Sequence, residues 1–121
     1  MQVRQVIKQL DLYLVAGSKI DVEITGGYAS DLLSCVMAGA KAGNIWVTLQ
    51  AHPNIVAVAS LIDLSAVIVT EGVSPDPETI ARAQETGIPL LTTAQDTFST
   101  VVALAQLGIV GAEESSGSPG S

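Results

Sequence analysis

Apolar residues at Val3, Val6, Ile7 and Leu10 recur at helical spacing and predict a first helix over residues 3–10. A short apolar run over residues 12–15 follows and stops at Gly17-Ser18. DVEIT, residues 21–25, predicts a strand, and Ser30 or Asp31 then caps a helix to about Ala40. NIWVTLQ, residues 44–50, is rich in β-branched residues and predicts a strand. Pro53, a favoured first-turn residue, opens an apolar helix to about Ile62.

SAVIVT, residues 65–70, is continuously apolar, as expected for a strand covered on both faces. Asp76 as N-cap, Pro77 at the first helical position and Gly87 as the stop bracket the next helix. Glu78 and Arg82 stand four apart on its solvated side. IPLLTT, residues 88–93, predicts the last strand, and Thr93 with Asp96, in the order T-x-x-D, opens a final helix to about Leu107. The polar, Gly/Pro-rich end, residues 111–121, predicts a disordered tail after a single domain over residues 1–110.

Strands alternating with short helices define an α/β domain: three layers, with a mostly parallel sheet of about five strands flanked by helices. In such sheets ligands gather beyond the carboxyl ends of the strands. TGGYASD, TEG and TTAQD stand at three strand ends.

At 48% apolar and 14% charged residues the chain is expected to fold around a core, and at 3% aromatic that core is aliphatic. Little charge is left to solubilise the surface, so an apolar face is expected to meet another chain. The net charge of −7 and the lack of a basic stripe exclude nucleic acid as an expected partner. The start lacks a signal-peptide run, and no stretch is apolar enough to span a membrane, so a soluble cytoplasmic protein is expected. Cys35 is the single cysteine, and no Cys/His spacing suggests a metal.

In TGGYASD, the amides of Gly26, Gly27 and Tyr28 with the Ser30 hydroxyl form either an anion nest at a helix start or a plain tight turn. No Lys or Arg follows within the loop, and Asp31 adds negative charge where a phosphate would sit. A neutral or cationic ligand, or a partner's side chain, fits this loop better than a nucleoside triphosphate. Thr70, Glu71 and Gly72 stand at another strand end, where Gly72 suits a positive-φ turn and Glu71 a hydrogen bond to a ribose or base. Cap chemistry accounts for Thr93 and Asp96 without a ligand. His52 is the only histidine, with no nucleophile or carboxylate tied to it by sequence, and no catalytic set assembles. Two helices, over NIVAVASLI and FSTVVALAQL, are apolar nearly all round, and such a helix is either sandwiched or faces a partner subunit. A homodimer is expected.

Residues 66–101 resemble the DRTGG domain family: an apolar strand ending near Thr70 and Gly72, a loop with Pro75 and Pro77, then Gly87-Ile88-Pro89 and the entry Thr93, Asp96, Thr97, Phe98. With a weaker N-terminal match the resemblance covers about residues 1–109. It implies a non-catalytic, often dimeric regulatory module similar to the N-terminal domain of HPr kinase/phosphorylase. Such modules occur beside CBS domains in regulatory pyrophosphatases and in long phosphotransacetylases, in places close to bound adenine nucleotides. Some small relatives look like accessory proteins of hydrogenase-linked gene clusters. The chain departs from the family where a Gly-Asp-Arg run gives way to Gly26-Gly27-Tyr28, and where T-G-G becomes Thr70-Glu71-Gly72. The lost arginine would have been the bidentate phosphate partner.

Together these readings predict a ligand-sensing regulatory homodimer without metal or cofactor. Its crevice would be formed by Gly26, Gly27, Tyr28, Ser30, Thr70, Glu71, Gly72, Thr93 and Asp96. The alternative is a protein-interaction or accessory subunit with no small-molecule ligand.

Overall fold

The structure, a computed structural model, describes residues 1–111. The expected tail therefore lies, from residue 112 onward, outside the described residues. In chain order the elements are α1 (Val3–Gln9), β1 (Tyr13–Ala16), β2 (Gly26–Ala29), α2 (Leu33–Gly39), β3 (Asn44–Thr48), α3 (Asn54–Leu61), β4 (Ala66–Val69), α4 (Pro77–Thr86), β5 (Leu90–Thr92) and α5 (Thr97–Gln106). The five strands form one sheet in the order β1-β5-β4-β3-β2. β2 to β5 run parallel, and β1 pairs antiparallel with β5.

Alternation along the strands sends Trp46, Val67, Val69 and Leu90 to one face, under α2, α3 and α4. Ile45, Val47, Ile68 and Leu91 point to the other, under α1 and α5. The sheet is thus the middle of three layers. β3 and β4 are buried along their whole length, matching the continuous apolar runs that mark them in the sequence. Each fully buried Ile or Leu contributes about 1.5–3 kcal/mol relative to exposure. Trp46, the largest buried side chain, donates its indole N–H to the Ser30 carbonyl at 2.9 Å, so its polar atom is satisfied.

Two expectations are corrected. Residues 21–25 form no strand; Glu23 makes an isolated bridge to Gln2, and the strand begins instead at Gly26. Gly26 and Gly27 are therefore strand residues rather than a turn before a helix. They pair with Asn44 and Ile45 of β3, and glycine is needed at the first because a Cβ on Gly26 would lie 2.9 Å from the Val110 carbonyl, which also accepts the Gly27 N–H at 3.0 Å. The helix after β2 is capped by neither Ser30 nor Asp31, because Leu32 holds the N-cap position without a side-chain bond. Asp31 turns the other way and binds β3, accepting from the Thr48 hydroxyl at 2.8 Å and from Leu49 N–H at 2.9 Å.

The later elements follow the sequence closely, except that Asp96 alone caps α5, while the Thr93 hydroxyl accepts Gln95 N–H at 3.2 Å instead of opening the helix. Asp76, Pro77 and the left-handed Gly87 (φ 81°) bound α4 as expected. Glu78 and Arg82 approach to 3.6 Å in the open, where such a pair adds little. α3 is the sandwiched kind of apolar helix, lying between α2 and α4 with Ile55, Val56, Val58 and Ala59 buried.

A crevice at the antiparallel seam

Because β2 to β5 are parallel, their carboxyl ends share one edge of the sheet, and antiparallel β1 brings its start, Tyr13, to that edge beside Thr92. Here the loops after β4 and β5 are stitched together: Glu71 N–H donates to Gln95 O at 2.8 Å and Gly72 N–H to Thr93 O at 3.0 Å. Between that pair of loops and the α1–β1 turn lies an open crevice of about 600 Å³. Leu10, Val15, Val73 and Ile80 supply apolar wall, and Asp11, Tyr13, Ser74 and Gln95 supply polar groups. Its size lies within the range of small-molecule sites.

The residues predicted for a single site are divided among three places. Gly72 and Thr93 line the crevice; Gly72 sits at φ 71° with open space around it. Glu71, Asp96 and Thr70 lie at the same edge but are engaged with one another's elements. The Glu71 carboxylate accepts Thr97 N–H at 2.8 Å, and Asp96, the N-cap of α5, accepts Ser99 N–H at 2.6 Å. Hydrogen bonding from Ser99 holds the Asp96 carboxyl below the ordinary carboxylate range. Thr70 is fully buried and shares a 2.7 Å hydrogen bond with the Thr97 hydroxyl. Ser30, at the end of β2, accepts Leu32 N–H at 3.1 Å.

Gly26 and Gly27 begin β2, opposite Asn44 and Ile45, and so lie toward the other end of the sheet. Gly27 and Tyr28 border a separate apolar groove of about 330 Å³, walled by Val101, Ala105, Ile109 and Val110. The Tyr28 hydroxyl donates to Cys35 O at 3.1 Å, and its ring fills the space left by Gly39. Gly26 and Gly27 thus form neither the tight turn nor the helix-start nest that the sequence left open, because both lie within β2.

The crevice residues that sequence reasoning passed over are Asp11, Tyr13, Ser74 and Gln95. One signal was available: in a chain with 3% aromatic residues, a tyrosine at the start of a strand stands out. Tyr13 is 70% exposed. Among the described residues, the side chains of Asp11, Tyr13, Ser74 and Gln95 make no hydrogen bond or ion pair. Asp11 adopts φ 54°, a left-handed conformation that Asp tolerates better than most residues.

His52 is turned to local structure, its Nδ1 accepting Asn54 N–H at 3.1 Å. Among the described residues no three His, Cys, Asp or Glu side chains are grouped to hold a metal, and no helix is long and apolar enough to cross a membrane.

A covered, mostly parallel sheet with a crevice at its carboxyl edge defines a small three-layer α/β module. The chain belongs to the DRTGG domain family, whose model matches residues 2–107. Among solved structures it is similar to the CBS and DRTGG domains of the regulatory region of Clostridium perfringens pyrophosphatase, solved with its activator, diadenosine tetraphosphate. The two share 20% identity at a TM-score of 0.72, over 86% of this chain and 46% of the other, so this chain spans less than half of that structure's length. No curated protein matches significantly.

Proposed function

We propose that this chain is a non-catalytic regulatory domain that senses a small molecule in the crevice at the β1–β5 seam and works as a cytoplasmic homodimer. One observation carries the reading. The polar groups along most of the carboxyl edge are bonded to one another, whereas Asp11, Tyr13, Ser74 and Gln95 converge on an open cavity with their side chains unpartnered. Family membership supports a regulatory role, and the similar regulatory region solved with a nucleotide activator supports small-molecule sensing. The dimer reading rests on α5, which carries no charged residue and exposes Phe98, Val101, Val102 and Ala105 along one stripe. In a chain of net charge −7, that stripe is where two copies meet without bringing like charges together.

A thermal-shift screen against nucleotides, phosphorylated metabolites and small amines tests the sensing role. At least one class is expected to raise the melting temperature in a dose-dependent way. A flat screen at millimolar ligand removes the sensing role. It leaves the second reading, a protein-interaction or accessory subunit, which the same uncharged α5 stripe favours.

A further inference from the structure

We infer that the crevice at the β1–β5 seam takes a small organic cation with an aromatic or aliphatic body, and not a phosphate-bearing ligand. The inference rests on the ligand-sensing reading of this cavity and specifies the chemistry it selects.

The chain has five Lys and Arg residues, and none of them lines the cavity. Arg4 is held by Asp21 at 2.8 Å and Arg82 lies 3.6 Å from Glu78, while the Lys19 side chain packs over Gly87. The cavity wall offers a phosphate no positive charge. The helix amides that most readily receive one nearby, Thr97 N–H and Ser99 N–H, already bind the carboxylates of Glu71 and Asp96. The protein's own acids thus occupy the anion position beside the crevice.

What the cavity offers instead is acceptor and π character. Asp11 presents a carboxylate with no ion pair, Tyr13 presents an exposed ring at the same lip, and Gln95 and Ser74 add neutral hydrogen-bonding groups. A cation is drawn both to the carboxylate and to the face of the tyrosine ring. Val15, Val73 and Ile80 then receive the apolar body. The turn chemistry of Asp11 explains its backbone but leaves its charge unexplained, since Asn or Gly serves φ 54° equally well.

The test uses three probes that share an indole ring and differ in charge: tryptamine, tryptophol and indole-3-acetate, titrated into the full chain and followed calorimetrically and by amide chemical shifts. Tryptamine is expected to bind about tenfold more tightly than tryptophol, and indole-3-acetate more weakly still. Shift changes should centre on residues 10–15, 72–75 and 92–95. Asp11→Asn, which suits the left-handed turn, should fold normally and erase the advantage of tryptamine over tryptophol. Tyr13→Ala should weaken tryptamine while leaving the melting temperature nearly unchanged. Binding of indole-3-acetate or of adenosine triphosphate at least as tight as tryptamine overturns the cation assignment while the sensing role stands. So does an Asp11→Asn protein that still prefers tryptamine. Failure of the indoles together with every nucleotide and metabolite overturns both.

Discussion

Glu71 holds a backbone conformation that its side chain makes expensive. At φ 64° it lies in the left-handed region, where a Cβ costs about 1–2 kcal/mol and glycine costs nothing comparable. Its carboxylate reaches Thr97 N–H, which offsets part of that cost. Two substitutions separate the contributions. Glu71→Ala loses the carboxylate and keeps the strain, while Glu71→Gly loses both. In urea the glycine variant is therefore expected to be more stable than the alanine variant by about 1 kcal/mol; equal midpoints would remove strain from the account. The departure from T-G-G was visible in the sequence, but not the reach to Thr97, because the partner lies 26 residues further along, beyond α4 and β5. Gly26 and Gly27 show the opposite difficulty. Paired glycines usually punctuate turns, and the carbonyl that requires the smallness of Gly26 here comes from Val110, far along the chain.

At the scale of elements, the caps and stops of α4 and α5 were legible because they are local: Pro77, Gly87 and Asp96 act within a few residues of themselves. The turn after β2 was not, since Asp31 is drawn away from its own helix by Thr48 and Leu49. Asp96 gives α5 a pH dependence of definite sign. Its folded pKa lies below that of the unfolded chain, so its contribution is complete above the ordinary carboxylate range and disappears as pH falls through the folded value. Asp21, held low by its hydrogen bond to Arg4, acts in the same direction from an exposed position. Asp96→Asn can still accept from Ser99 N–H but has no charge to lose. The stability advantage of the unmodified chain over this variant, measured by urea midpoints, is expected at pH 7 and should shrink below about pH 4. An advantage unchanged at pH 2.5 would rule out the carboxylate as its source.

For the molecule as a whole, alternating strands and helices made the three-layer class readable, and β3 and β4 announced their double burial by composition. The crevice was not readable, because it depends on β1 returning antiparallel beside β5, and nothing in a four-residue apolar strand specifies its neighbour. Nor does an all-round apolar helix declare which way it will be covered: α3 packs between α2 and α4 and leaves Leu61 exposed at its end, whereas α5 leaves a whole stripe with Phe98, Val101 and Val102 open. If the α5 stripe joins two copies, Phe98→Asp with Val102→Asp should convert the protein to a monomer in light scattering while its melting temperature changes little. A strict monomer before substitution would dismiss the dimer. One further consequence follows from the bond between Gly27 N–H and the Val110 carbonyl. β2 is an outer strand with hardly any side chain at its start, and such a border invites strands from other molecules to add on. Val110 occupies the first outward amide of that border as a stopper, so the turn beyond α5 also guards the fold's most sociable edge.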